Sequence, residues 1–157
     1  MKVCLDTSVL IDILGRTEDL ACSYAAFDVS IIRNFKVFIP ITSTADVMYL
    51  LPRRDLAAKQ QAAQMLSSLF ELVEILDART VDARKALGSA MDNTMPDYED
   101  ALLAQMAHRN GIDLIITRNM KDFENSPVPA ISPEQFVLLY KPKNIEYSTI
   151  DLDSVFS

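Results

Sequence analysis

Short apolar runs that break abruptly into hydroxyl-rich or acidic helix starts recur along this chain. That alternation most narrows what it can fold into. The first instance is Lys2-Val3-Cys4-Leu5-Asp6-Thr7-Ser8-Val9-Leu10-Ile11-Asp12. Val3, Cys4 and Leu5 read as a short strand buried on both faces. Thr7 and Ser8 read as helix-start residues, with Val9, Leu10 and Ile13 on the apolar face that follows. Asp6 thus falls at the carboxyl end of a strand that leads into a helix. Ligands bind at that edge in open α/β sheets. Aspartate is also a favoured N-cap, so this stretch alone leaves Asp6 as either a cap or a site residue.

The pattern repeats. Residues 18–33 read as a helix, residues 35–41 as a strand ended by Pro40, and Thr42-Ser43-Thr44 as a helix start that places Asp46 in the first turn. Pro52 stops that helix. Residues 56–70 form an amphipathic helix and residues 71–76 a third strand, after which Asp77 caps a helix that closes near Gly88. Pro96 suits a first helical turn, leading through Asp97-Tyr98-Glu99-Asp100 into an apolar helix ended by Asn110-Gly111. Residues 112–117 read as a fourth strand that delivers Thr117-Arg118-Asn119-Met120-Lys121-Asp122. A last short strand at Ala130-Ile131 and a helix capped by Ser132 and started by Pro133 follow. Strands alternating with helices predict an α/β protein of three layers, α/β/α, around a mainly parallel sheet of four to five strands. The domain is expected over residues 1–140. Residues 141–157 read as a tail that adds an edge strand, meets a partner or frays.

Composition limits the chemistry. With 157 residues, half of them apolar, the chain is long enough to bury a core. No apolar run approaches the ~20 residues of a membrane span, and the three apolar residues after Lys2 are too few for a signal peptide. Cys4 and Cys22 sit on apolar stretches and read as reduced core thiols, so a cytoplasmic protein is expected. The net charge of −7 argues against holding nucleic acid by bulk electrostatics. The 3 glycines, Gly15, Gly88 and Gly111, allow neither phosphate-cradling glycine motif, and the single histidine, His108, disfavours zinc sites and a Ser-His-Asp triad. Carboxylates, hydroxyls and amides are left to carry any reaction.

Acids recur at strand ends and helix starts: Asp6, Asp46, Asp97 and Asp100, with Asn119 and Asp122 after the fourth strand. Parallel strands would bring their exits to one sheet edge, and Asp97 and Asp100, three apart, share a helix face. Two carboxylates at 4 Å repel by about 4 kcal/mol at an effective dielectric of 20. A cluster of them therefore calls for a proton or a cation. Oxygen ligands without His or Cys suit Mg²⁺ or Mn²⁺. Such a cation acidifies water and stabilises charge on a phosphate, which points to phosphodiester hydrolysis. Taken singly, each acid reads more readily as a cap or a solvated charge than as a ligand.

With these residues the chain resembles the PIN-domain ribonucleases, and more closely the VapC-type toxins of bacterial and archaeal toxin–antitoxin pairs. The stretches that carry the likeness are Val3 through Leu10, Ile41-Thr42-Ser43-Thr44-Ala45-Asp46, Asp97-Tyr98-Glu99-Asp100-Ala101-Leu102, residues 115–123 and Ile131-Ser132-Pro133-Glu134-Gln135-Phe136. Each is weak alone; their order and spacing are specific. The resemblance implies that Asp6 and Asp100 are metal ligands. It puts Asp46 where the family usually has Glu, one methylene longer, so that Asp46 would bind through water. The family's fourth acid falls at or near Asn119, which cannot neutralise a cation; Asp97 and Asp122 are candidates to compensate, and one or two metals remain open. Thr7, Ser8 and Thr117 would hydrogen-bond ligands or phosphate. Arg118 would contact RNA or be a surface charge, and Lys121 is expected to be solvated.

The resemblance further implies a Mg²⁺- or Mn²⁺-dependent endoribonuclease, a homodimer that joins two acidic grooves, and a cognate antitoxin that blocks the pocket with a basic side chain. Two other readings stand beside it. One is a non-catalytic RNA- or protein-binding module on a PIN scaffold, favoured by Asp46 and Asn119. The other is a phosphotransfer protein with Asp6 as nucleophile. Against it, haloacid-dehalogenase-like enzymes want an aspartate where Ser8 stands, and receiver domains put theirs on a later strand.

Overall fold

The strands expected from the apolar runs form a single five-stranded sheet, and every pairing in it is parallel. The computed structural model describes residues 1–51 and 56–147. Its elements run β1 (Lys2–Leu5), α1 (Thr7–Gly15), α2 (Leu20–Ile32), β2 (Lys36–Pro40), α3 (Ile41–Leu50), α4 (Leu56–Leu69), β3 (Glu74–Leu76), α5 (Thr80–Met91), α6 (Tyr98–Arg109), β4 (Leu114–Ile116), β5 (Ala130–Ile131) and α7 (Pro133–Tyr140). A single 3₁₀ turn, Met120–Phe123, lies between β4 and β5. Pro52, the expected stop of the third helix, and residues 148–157, most of the expected tail, lie outside the described residues. No helix among the described residues is long and apolar enough to cross a membrane.

Strand order is β3-β2-β1-β4-β5. The chain builds outward from β1 to β3, then crosses back and continues from β4 on the other side. The order therefore reverses between β1 and β4. At such a switch point the two exits diverge to opposite sides of the sheet and leave a crevice. Register places Cys4 beside Ile115 and Leu5 beside Ile116, so Asp6 and Thr117 are the next residues out on neighbouring strands.

Alternation along the strands separates two cores. Val3, Leu5, Val37, Ile39, Ile116 and Ile131 pack with side chains of α1, α2, α3, α4 and α7. Cys4, Phe38, Leu76 and Ile115 face the other way, onto α5 and α6. This is the three-layer arrangement that the sequence implies. Cys4 is fully buried, and burial followed by the charge of Asp6 pushes its thiol far above the ordinary cysteine range. It is an inert core side chain.

Several element starts differ from the sequence reading. Pro40 occupies the N-cap position of α3, which begins at Ile41. Asp46 therefore lies in the second turn, not the first. The third strand is only Glu74–Leu76, because Glu71 and Leu72 still belong to the turn that closes α4 through bonds to Ser68 and Leu69. Helix α5 starts at Thr80, where the Asp82 carboxylate accepts the Arg79 N–H at 2.9 Å. Asp77 is not its cap, and Gly88 lies inside the helix. Helix α6 starts at Tyr98 with Asp97 as its N-cap, which leaves Pro96 just outside.

Asp82 and Arg109 clamp α5 to α6. Asp82 is 2% exposed and receives the Arg109 guanidinium at 2.8 Å; Arg109 also donates to the Asp77 backbone oxygen at 2.6 Å. Burial pushes the Asp82 carboxyl up, but the Arg109 hydrogen bonds and the Arg79 N–H outweigh it and hold the group below the usual range. A depressed carboxyl stabilises the fold above its unfolded value and loses that contribution as pH falls through its folded value. Asp82→Ala should therefore cost about 2–3 kcal/mol near pH 7, below the range for a fully buried pair because Arg109 is partly open. Urea denaturation should show the gap between parent and variant closing as pH falls toward 2.

Candidate functional site: an acidic pocket at the switch point

The pocket begins with the last hydrogen bond of β1. The Asp6 N–H donates to the Ile116 carbonyl at 3.0 Å, which ties the exit of β1 to the exit of β4. Asp6 then takes extended backbone angles, φ −69° and ψ 158°, and caps α1 by accepting the Thr7 N–H on Oδ1 at 2.7 Å. Cap and site were alternatives in the sequence; in the structure one oxygen of Asp6 caps while the other is held differently. Oδ2 accepts the Ser8 hydroxyl at 2.6 Å and the Thr117 hydroxyl at 2.8 Å. Asp6 is only 3% exposed, so its aim is set by these bonds.

Thr7 reaches the other wall. Its Oγ1 lies 2.6 Å from Ser43 Oγ and donates to Glu99 Oε1 at 3.3 Å. With Thr7 donating to Glu99, the Ser43 hydroxyl donates to Thr7, because each hydroxyl carries one proton. Ser43 is buried on α3, one turn before the half-buried Asp46. One hydroxyl chain thus links α1, α3 and α6.

Helix α6 brings three acids to its N-terminus. Asp97 Oδ1 accepts the N–H groups of Glu99 and Asp100 at 2.9 and 3.1 Å. Glu99 and Asp100 occupy the first turn, where the helix dipole offsets part of their repulsion. What remains is large. Burial first, then Asp6, Asp97, Asp122 and Glu99, pushes the Asp100 carboxyl up to about 7. Burial, then a hydrogen bond with Asp46 and its charge, pushes Glu99 up to about 7; the Thr7 hydroxyl pulls it the other way and Asp6 adds a smaller push.

Electrostatically, then, Asp6, Asp97, Asp122 and Glu99 act on Asp100, and Asp46 and Asp6 act on Glu99, at this edge. Among the described residues they do not stand as a ready ligand set: no three His, Cys, Asp or Glu side chains converge on a point that would hold an ion. Asp97 is partly committed to capping. Asn119 is exposed and contributes through its main chain, its N–H donating to Thr117 Oγ1 at 3.0 Å. Asp122 and Lys121 are exposed. Arg118 turns back onto α1, pairing with Asp12 at 2.9 Å and with Asp19 at 2.5 Å.

Two contributors were not singled out from sequence. Glu99 stood in the same short motif as Asp97 and Asp100, and its signal was a third acid at a helix start. Ser43 read as a helix-start hydroxyl; nothing in the sequence shows that it meets Thr7. The donor set is hard oxygen throughout, and its repulsion is the kind that a small divalent cation relieves.

Comparison with protein families matches residues 3–126 to the PIN domain. Comparison with curated protein sequences gives no match. Among solved structures, the chain is similar to VapBC2 from Rickettsia felis bound to promoter DNA, at 18% identity and TM-score 0.66 over 84% of this chain and 98% of that one. It is also similar to a toxin–antitoxin complex from Klebsiella pneumoniae, at 19% identity and TM-score 0.60 over 83% and 97%. A third is VapC20 of Mycobacterium tuberculosis, a toxin that cleaves the sarcin–ricin loop, at 14% identity and TM-score 0.60 over 72% and 86%. At these identities the likeness is one of fold.

The raised Asp100 carboxyl has a consequence for stability. Its folded value, about 7, lies above the ~3.9 of an unfolded aspartate, so the folded protein binds this proton more tightly. Stability is then lost as pH rises from about 4 to about 7. Asp100→Asn should raise the melting temperature in chelator at pH 8. After solvent screening the gain should be about 1–2 kcal/mol, or several degrees, and much smaller at pH 4. Thermal unfolding at both pH values checks this.

Proposed function

This chain belongs to the PIN domain family, and from the acidic pocket at its switch point we propose that it is a Mg²⁺- or Mn²⁺-dependent endoribonuclease. The observation that carries the reading is the mutual repulsion of Asp6, Glu99 and Asp100 at one sheet edge. Burial, with that repulsion added to it, drives two carboxyls up to about 7, and no ion pair with a basic side chain relieves the cluster among the described residues. A protein that keeps such a cluster at a cost in stability has a use for its charge.

In this reading Asp6, Asp46 and Asp100 hold the cation, with Asp97, Asn119 or Asp122 completing its surroundings and Glu99 added as a further acid. Bound there, the cation would neutralise the cluster, acidify water and stabilise charge on a phosphodiester. The protein's own part is orientation. Ser8 and Thr117 fix Oδ2 of Asp6, and Thr7 fixes the wall formed by Ser43 and Glu99. Residues at the pocket rim then meet the RNA backbone.

We assign the protein the role of toxin in a type II toxin–antitoxin pair, as a cytoplasmic homodimer whose antitoxin occludes the pocket with a basic side chain. Support comes from toxin–antitoxin complexes among the structures of similar fold and from a net charge of −7, which suits a basic partner segment. RNA as substrate draws support from the RNA-cleaving toxin of similar fold.

A second reading, a binding module without catalysis, is favoured by one observation: no three acids converge as a ligand set among the described residues. The two readings separate on metal. Parent protein should bind Mn²⁺ in calorimetry and cut RNA only with Mg²⁺ or Mn²⁺. Asp6→Asn and Asp100→Asn should each lower cleavage at least about 100-fold. If both variants cut as well as the parent, the metal reading is wrong. If the parent binds no Mn²⁺ at millimolar concentration, the binding module stands.

A further inference from the structure

The two hydroxyls that hold Asp6 are themselves held. Ser8 Oγ donates to Asp6 Oδ2 and accepts the Arg118 N–H at 3.3 Å. Thr117 Oγ1 donates to the same oxygen and accepts the Asn119 N–H at 3.0 Å. A hydroxyl has one proton and rotates freely. An N–H that occupies its lone pair turns that proton toward the carboxylate. The main-chain turn at 118 and 119 therefore orients both donors to Asp6.

That turn leaves the sheet at the end of β4; among the described residues its ladder bonding ends at Thr117, whose N–H reaches Ile131, and its Asn119 carbonyl accepts the Asp122 N–H within the following 3₁₀ turn. Its side-chain anchor is Arg118. Nη1 pairs with Asp12 and Nη2 with Asp19, so the guanidinium bridges α1 and the entry to α2. Asp12 is 1% exposed and fully engaged: Thr17 Oγ1 donates to Oδ1 at 2.6 Å and Ser23 Oγ to Oδ2 at 2.7 Å. A buried carboxylate so held is a fixed post and not a chance surface partner.

We propose that Arg118 is a positioning residue: its clamp on Asp12 and Asp19 fixes the 118–119 turn, whose two amides orient Ser8 and Thr117 toward Asp6. The carboxylate's aim thus depends on an ion pair at Asp12, one turn along α1 from Ser8. Arg118 does not touch RNA in this scheme. The consequence for metal rests on the reading that Asp6 is a ligand; the clamp itself does not.

Arg118→Met keeps the length of the side chain and removes both ion pairs. Amide hydrogen exchange at positions 118 and 119 should accelerate about tenfold or more, with the amides of α2 and α6 unchanged, and the Mn²⁺ dissociation constant should rise about 10-fold or more, the range for residues that orient a ligand. Arg118→Lys should recover part of both effects, since one ammonium can meet Asp12 but not both acids. Asp12→Asn, which keeps the buried shape and the Asp19 pair, should reproduce part of the Arg118→Met effect, and the double variant should be no worse than Arg118→Met. Unchanged exchange at 118 and 119 overturns the clamp, as does uniform acceleration across β1 and α1, which would mean only lost stability. A raised KM for RNA with exchange and Mn²⁺ affinity intact also overturns it and makes Arg118 an RNA contact. Should the parent bind no Mn²⁺, the metal reading falls, while exchange at these two amides still decides the clamp.

Discussion

Oδ2 of Asp6 accepts a hydrogen bond from Ser8 on α1 and another from Thr117 at the end of β4. The rest of the pocket depends on that pair of bonds. They span the place where strand order reverses, so they join the two halves of the sheet at its carboxyl edge. Cutting them would leave Oδ2 of a nearly buried side chain without its hydrogen-bond partners, which is costly. The same bonds explain how Asp6 can cap a helix and still serve a site. Capping uses Oδ1 and one backbone amide; Oδ2 is directed by side chains.

Two groups of acids among the described residues differ in their partners. Asp12, Asp19, Asp77 and Asp82 are matched by Arg118, Arg109 or Arg79. The pocket acids are matched, among the described residues, by one another and by hydroxyls. Formal charge therefore says little about where the −7 resides. These four aspartates are neutralised where they sit, whereas the charge at the switch point is not relieved by a basic side chain among the described residues. A localised field of this kind attracts a cation over a few ångströms, while the bulk of the surface still repels a polyanion.

The sequence was most legible where one signal had no competitor. Val3-Cys4-Leu5, Val37-Phe38-Ile39 and Leu114-Ile115-Ile116 are apolar enough that only a doubly covered parallel strand suits them, and the layer order followed. It was least legible where two local signals competed. Hydroxyls at Thr42, Ser43 and Thr44 looked like a helix start, but Pro40 had already fixed its φ for the turn into α3, and Asp46 moved one turn along. Pro96 and Asp97 both suited a helix start; the side-chain bonds of Asp97 to two amides prevailed. Glu99 and Ser43 enter the site only through the approach of α6, α1 and α3, a tertiary fact that no local spacing encodes.

Asn119 sharpens the point. A fourth carboxylate was wanted near this position, and an amide stands there instead. The hydrogen bond that its residue makes at the site comes from its main chain, through the N–H that orients Thr117. Any residue with a backbone N–H can make that bond; proline cannot. The demand of the fold at 119 is thus for a turn and an amide, and the side chain is left to tune charge. Losing a carboxylate here lowers the negative field without loosening Asp6. The hold on Asp6 and the charge of the pocket are separate properties, set by different atoms of the same turn.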